Sequence, residues 1–129
     1  MNLNDLEKKI NSELTTKIKD SYIKHGQIYI TIYPEDLIET LLLLKTNSNT
    51  KFRQLIDITA VDYPEDEKRF KLVYLLLSHE LNQRIVLKYQ ISENQHISSV
   101  TKIFPSANWM EREIFDMYGI KFSDHPDLR

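Results

Sequence analysis

The last twenty residues hold the side chains best suited to chemistry. Glu111 and Glu113 are followed by a His-Pro-Asp segment that supplies an imidazole at His125 and a carboxylate at Asp127. These groups could act as general acid and base or as metal ligands, and Glu113, His125 and Asp127 would then make the chain a small metal-dependent hydrolase. The spacing weakens that hypothesis, because two helical residues separated by one point about 160° apart. The remaining histidines are scattered and share no metal-ligand spacing.

The same segment is better described as a surface that another protein covers. Spaced at about 100° per residue on a helix, its apolar residues form one broad arc, which comprises Met110, Ile114, Phe115, Met117 and Tyr118. The opposite side carries Trp109, Arg112, Glu113 and Asp116. Trp, Met, Tyr and Arg are enriched in the cores of protein interfaces. The alternative is a local network of caps and ion pairs, with Arg112 and Asp116 at the favourable i, i+4 spacing.

Glu111 and the two ends of this helix carry specific expectations. Glu111 falls inside the apolar arc, so its carboxylate must be hydrogen-bonded or paired, since burying it alone would cost several kcal/mol. Asn108 is the predicted N-cap, with Glu111 three residues later as in a capping box. Gly119 is predicted to end the helix in a left-handed conformation, with Ile120 folding back onto Phe115.

Composition limits the classes of function that remain. The 129 residues predict one domain, 1–129, and 17 Lys and Arg against 19 Asp and Glu, without a basic tract, give no reason to expect a nucleic-acid partner. The absence of Cys excludes a disulfide, a thiolate nucleophile and ordinary iron–sulfur ligation by this chain. Two glycines exclude a Gly-rich phosphate loop. The longest apolar run, Leu41 to Leu44, is too short to span a bilayer, so we expect a soluble intracellular protein.

Periodicity predicts the elements that hold this segment. Leu3, Leu6, Ile10 and Leu14 recur at helical spacing, and Pro34 opens a second helix whose buried stripe is Leu37, Leu41 and Leu44. Alternating residues predict five strands, which are 17–24 and 27–33, joined by a turn at His25-Gly26, and then 52–63, 69–79 and 84–91. The fold class is therefore α+β, a two-layer mixed sheet with helices on one face. Its order is helix, two strands, helix, three strands, with a C-terminal helical segment.

The C-terminal residues resemble a known family. The run from Glu111 to Arg129 reads Glu-Arg-Glu, two residues, Asp, two residues, Gly-Ile, one residue, Phe, two residues, His-Pro-Asp-Leu-Arg. It is similar to the signature of the 30 kDa subunit family of NADH:quinone oxidoreductase, respiratory complex I. Upstream stretches around Val61-Asp62-Tyr63-Pro64 and Asn82-Gln83-Arg84-Ile85 also look like strands of that family. The resemblance covers the chain from about Leu55 onward.

The resemblance implies a structural subunit of the hydrophilic arm, with no catalytic residue, flavin, cluster or quinone of its own. NADH, quinone, flavin and iron–sulfur clusters would belong to the parent complex. Its partners would be the large quinone-site subunit and neighbouring iron–sulfur subunits. It would be a peripheral protein on the cytoplasmic face of the bacterial inner membrane or the mitochondrial matrix side. A related membrane-bound hydrogenase-type complex is the nearest alternative.

By position, the motif assigns the partner-facing surface to ten residues, which are Trp109, Glu111, Arg112, Glu113, Asp116, Gly119, Phe122, His125, Pro126 and Asp127. Arg112 and Asp116 are expected to order the helix, Gly119 to turn the chain, and the His-Pro-Asp turn to direct it onto the partner. Family members usually continue past the Leu-Arg with a second tail that contains His-Pro-Leu-Arg. We expect a chain without that tail to bind the large quinone-site subunit less tightly.

Overall fold

The computed structural model describes residues 2–14 and 17–126. Its elements are α1 (Leu3–Glu13), β1 (Ile18–Lys24), β2 (Gln27–Ile32), a 3₁₀ turn (Pro34–Asp36), α2 (Leu37–Thr46), β3 (Gln54–Asp62), β4 (Phe70–Ser78), β5 (Gln83–Ile91), β6 (Ile97–Ser98), α3 (Ala107–Tyr118) and β7 (Phe122–Ser123). The predicted order is confirmed. The two-residue strands β6 and β7, which pair with each other in parallel, are too short to leave an alternating pattern in the sequence.

Five strands form one mixed sheet in the order β1-β2-β5-β4-β3. The neighbours are antiparallel except for β2 and β5, which run parallel. β4 lies between β5 and β3, and its near-continuous apolar run from Val73 to Leu77 fits an interior strand. The middle position belongs to β5, so the first hairpin joins the sheet beside a strand that follows it by more than fifty residues along the chain.

The helices cover one face of the sheet, as predicted. Alternate residues of β4, from Phe70 to Ser78, are buried, while those between them are half-buried. The buried side of the sheet shares one core cluster with apolar residues of all three helices, among them Leu6, Leu41 and Ile114. Period-two burial on a sheet packed against helices is what places a core on one side and leaves the other side open.

Local signals read from the sequence set the turns and one helix end. His25 and Gly26 have φ of 51° and 74°, which is the left-handed pair that a two-residue hairpin of the primed type requires. The Asn2 side chain accepts a hydrogen bond from the Asp5 N–H (2.8 Å) and caps α1. Phe52, predicted as a strand residue, lies in the α2–β3 connection, where its N–H donates to the Leu44 carbonyl (2.8 Å).

In the described part of the chain, no helix is long and apolar enough to cross a membrane.

Candidate partner interface

The α3 helix presents the C-terminal motif. It begins at Ala107 after Ser106, and it ends at Gly119, whose φ of 73° lies in the left-handed region. The Gly119 N–H donates to the Phe115 carbonyl (2.8 Å), so the predicted glycine ending is confirmed. The predicted N-cap is wrong. Asn108 is already inside the helix, and Ser106, which occupies the cap position, makes no side-chain capping hydrogen bond.

Glu111 is completely buried, although it is a carboxylate. Its oxygens accept hydrogen bonds from the Ser99 hydroxyl (2.7 Å) and the Val100 N–H (2.8 Å). These donors lie in the connection between β6 and α3. Burial raises the pKa of Glu111, and the bonds from Val100 and Ser99, together with the nearby His125, oppose that rise. The expectation that this carboxylate must be hydrogen-bonded is confirmed.

His125 lies beside Glu111 inside the domain. Its side chain is fully buried, and Nε2 stands 2.9 Å from the Asn108 carbonyl oxygen and 3.8 Å from Glu111 Oε1. A carbonyl oxygen only accepts, so Nε2 carries a proton. This contact ties the chain after β7 back onto the first turn of α3. Pro126, the last described residue, is exposed.

The outer side of α3 carries an exposed stripe, defined as Trp109, Arg112, Glu113, Asp116 and Met117. Trp109 is 69% exposed and Met117 is 74% exposed, and they stand at the two ends of the stripe with the three charged residues between them. The expected pair is present, since Arg112 Nε lies 3.9 Å from Asp116 Oδ2. Trp and Met, with Arg112 between them, are residue types enriched at protein interfaces.

The apolar arc read from the sequence is divided by the fold. Ile114 is buried, Met110 and Tyr118 are half-buried against the core, and Phe115 is half-buried, whereas Met117 is exposed. The Tyr118 ring meets the edge of Phe70 at 6.0 Å between centroids. The helix is therefore apolar on two sides, and only the inner side is used within the domain.

The ten motif residues therefore fall into distinct groups. Trp109, Arg112, Glu113, Asp116, Gly119 and Pro126 are exposed, and Glu111, Phe122 and His125 are buried. Asp127 lies outside the described residues. Within residues 2–14 and 17–126 the structure contains no group of three His, Asp or Glu side chains that could hold a metal ion.

Sequence reasoning did not find the partners of the buried carboxylate. Ser99 and Val100 sit in a loop of ordinary composition, and nothing local in the chain marks them as its donors. A second buried polar contact was also missed. The hydroxyls of Tyr74 and Tyr89, on neighbouring strands of the core face, lie 2.8 Å apart. Tyrosine alternating with Leu in a strand reads simply as a large apolar residue, so the sequence carries no sign of this pair.

A cleft of about 310 Å³ adjoins the end of α3. It lies between Tyr118–Lys121 on one side and the loop from Ser92 to His96 on the other, with Arg69 at its edge. Arg69 is held there by two hydrogen bonds to Asp62 (2.7 and 2.9 Å) and by an ion pair with Glu93 at 3.3 Å. The cleft extends the exposed surface of α3 with a second, more polar region.

Known proteins resemble nearly the whole chain. Residues 30–129 match the family model described as the respiratory-chain NADH dehydrogenase 30 Kd subunit. The corresponding NADH-quinone oxidoreductase subunit of a Chelativorans species is 42% identical over 98% of this chain, and that of Ruegeria pomeroyi is also 42% identical over 98%. The chain spans 64% and 66% of the length of these two relatives.

Solved structures agree with the fold. A trypsin-resistant fragment of Nqo5 superposes with a TM-score of 0.81 at 25% identity, covering 99% of this chain and all of that one. A chain of the membrane-bound sulfane sulfur reductase, an archaeal respiratory membrane complex, superposes with a TM-score of 0.85 over 98% of this chain and 73% of that one. Its identity of 22% shows the fold alone. From the family match and these relatives together, the chain belongs to the family of the respiratory-chain NADH dehydrogenase 30 kDa subunit.

Proposed function

We propose that this chain is a structural subunit of the hydrophilic arm of NADH:quinone oxidoreductase, where it supports electron transfer from NADH to quinone coupled to proton translocation. The support is the family membership and the names of relatives 42% identical to it. In this proposal the chain supplies no catalytic residue and binds no cofactor itself. NADH, flavin, iron–sulfur clusters and quinone are handled by other subunits, which agrees with a sequence that has no cysteine.

The proposed partners are the large quinone-site subunit and the neighbouring iron–sulfur subunits. The chain would lie peripherally, on the cytoplasmic face of the bacterial inner membrane or on the mitochondrial matrix side. The observation that carries the proposal is the exposed stripe of α3. It exposes Trp109, Met117 and Arg112, which are residue types enriched at protein interfaces.

The motif residues have different roles in this proposal. Trp109, Arg112, Glu113 and Asp116 contact the partner directly, and Gly119 and Pro126 set the path of the chain beside them. Glu111, Phe122 and His125 are buried, so they act by holding that surface in shape rather than by touching the partner. Asp127 is proposed to belong to the contact because it continues the motif beyond Pro126.

The test is co-purification from detergent-solubilised membranes of the source organism, with the chain tagged at its N-terminus. We expect a large quinone-site subunit and cluster-bearing subunits to be identified alongside it by mass spectrometry. The same experiment with Trp109→Ala is the sharper one. Covering the exposed part of a Trp removes roughly 150 Å² of surface from water, and truncating such an anchor typically costs about 2 kcal/mol or more, or roughly thirtyfold in Kd.

Leu42→Ala is the matched control, because Leu42 is another exposed apolar side chain (44%) but lies on α2, away from the stripe. Equal recovery of the arm with Trp109→Ala and with Leu42→Ala would contradict the stripe as the contact. Recovery of no arm subunit with the unaltered chain would refute the proposed function.

The electron-donating subunits that co-purify with the chain distinguish the proposed complex from its nearest alternative. An NADH-oxidising module identifies the quinone-reducing complex, and a hydrogenase-type module identifies the related complex. That alternative is kept because a chain of an archaeal respiratory membrane complex shares the fold. Calorimetry with zinc or manganese addresses the hydrolase hypothesis, and stoichiometric metal uptake by the chain would speak against a purely structural role.

A further inference from the structure

A second surface, independent of α3, lies on the side of the sheet that no helix covers. We call it the open face. Its centre is one row of residues paired across four strands, in which Tyr22 lies beside Tyr29, Tyr29 beside Val86 and Val86 beside Leu75. The rings of Tyr22 and Tyr29 are stacked, 4.9 Å between centroids and 5° from parallel. The row is therefore a continuous band of aromatic and aliphatic side chains across four strands.

The positive charges around this band have no carboxylate partner in the described part of the chain. Lys24, Lys71, Arg84 and Lys88 all belong to strand positions of the open face, and none of them takes part in an ion pair. The Lys88 ammonium instead donates to the Tyr22 hydroxyl (2.8 Å) and lies 5.0 Å from the centre of that ring. The arginines on the other surfaces, Arg53, Arg69 and Arg112, are each paired with an acidic residue.

The open face is thus more basic than the protein that carries it. Against those four cations it presents the carboxylates of Asp20 and Asp57, whereas the chain as a whole has a net charge of −2. Uncompensated charge on one face attracts a surface of opposite sign and speeds its encounter. The complementary surface is acidic, with an apolar centre that matches the band.

A shallow depression of about 260 Å³ lies on this face, and Lys71, Lys88, Thr31 and Gln90 line it. The two ammonium groups are held toward opposite edges of the sheet, because the Lys88 ammonium bonds to Tyr22 on β1 and the Lys71 ammonium lies 5.7 Å from the ring centre of Tyr63, just after β3. The positive charge is therefore spread across the face, which suits an acidic surface rather than a single acidic side chain.

We propose that the open face docks an acidic protein surface of a neighbouring subunit, with carboxylates of that subunit facing the cations spread over Lys24, Lys71, Arg84 and Lys88. This rests on the proposed function, since the neighbour is a subunit of the same hydrophilic arm. The chain then has two contact surfaces on separate sides of its sheet, the stripe of α3 and the open face, and it joins two neighbours rather than capping one.

The test compares binding of variants to the hydrophilic arm purified without this subunit, followed by biolayer interferometry. The variant Lys71→Glu/Arg84→Glu reverses two charges of the open face that make no ion pair. Lys8→Glu/Lys9→Glu reverses two exposed lysines of α1 and is the matched control. At about 50 mM salt we expect the first variant to associate roughly tenfold more slowly than the control, and at about 500 mM salt the gap should largely close, because ions screen charges across an interface.

A photoreactive residue at Leu75, in the centre of the band, gives a second readout that does not depend on charge. We expect it to cross-link to an acidic peptide of an arm subunit. Equal association rates for the two charge variants, or capture of the chain by phosphatidylglycerol vesicles with loss of that capture in Lys71→Glu/Arg84→Glu, would overturn the inference. If binding falls with Trp109→Ala but not with Lys71→Glu/Arg84→Glu, the proposed function stands and the open face is not a docking surface. If the unaltered chain does not bind the arm, both fail.

Discussion

Replacing Glu111 by Ala is the sharpest test of how the C-terminal motif is held together. The change leaves the buried Val100 N–H without its acceptor, and an orphaned buried donor costs about 1–3 kcal/mol. Ser99 loses less, because its hydroxyl also contacts the Thr101 hydroxyl at 2.9 Å. The void left by the side chain adds about 1 kcal/mol. Removing a buried charge offsets part of this loss of stability, since burial already disfavours the ionised carboxylate.

The net expectation is a loss of about 2–3 kcal/mol in the free energy of unfolding, or roughly 10 °C in Tm for a domain of this size. Urea denaturation followed by circular dichroism at pH 7 measures it directly. Glu113→Ala is the matched control, because Glu113 is a carboxylate two residues away that is exposed and makes no hydrogen bond or ion pair with described residues. We expect it to change stability by less than about 0.5 kcal/mol. If Glu111→Ala is as mild as that control, the buried carboxylate does not hold the motif.

Three further changes probe other parts of the same argument. Burial raises the pKa of Glu111 above 4.5, so the stabilisation from its protonated form is complete below the unfolded pKa and is lost as pH rises through the raised pKa. In urea titrations, the free energy of unfolding of the wild type relative to Glu111→Gln should therefore decline as pH rises above about 4.5. A pH-independent difference would contradict the shift. Gly119→Val should lower stability by about 1–3 kcal/mol through its φ of 73° alone, because no atom lies within 4 Å of the added Cβ, and it should weaken binding to the arm. Gly119→Asn, which tolerates that φ, should lose less in thermal melts, and equal losses for Asn and Val would point to another cause. Tyr74→Phe leaves the buried Tyr89 hydroxyl without its partner and should cost about 1–2 kcal/mol by urea denaturation, whereas an unchanged protein would mean that the 2.8 Å contact contributes nothing.

The local parts of this protein can be read from the sequence because each depends on a few adjacent residues. Helical spacing of Leu6 and Ile10 predicts the buried side of α1, and alternation along β4 predicts its core face. His25-Gly26 and Gly119 predict turns that need positive φ, and all three residues adopt it. The burial of Glu111 also followed from its place on the helix, and so did the need for a partner.

The tertiary structure alone decided which residues donate hydrogen bonds to the Glu111 carboxylate. A periodic pattern says which side of an element is buried, but a buried carboxylate takes whichever donors the fold brings to it, and here they come from Ser99 and Val100 in a preceding loop. The fold also begins α3 at Ala107, so Asn108 is a helical residue and Glu111 does not stand at the capping-box position that the sequence suggested.

The open face also depends on the tertiary structure rather than on local sequence patterns. Its band joins residues of β1, β2, β5 and β4, and the parallel pairing of β2 with β5 brings together segments more than fifty residues apart. No pattern within either segment encodes that neighbour, because strand alternation is the same whichever strand lies alongside. The sequence by itself determined the three helices, the five strands of the main sheet, their buried sides and the family. Only the fold decided that four cations without a carboxylate partner among the described residues share one surface, because long-range strand order is settled by packing of the whole core.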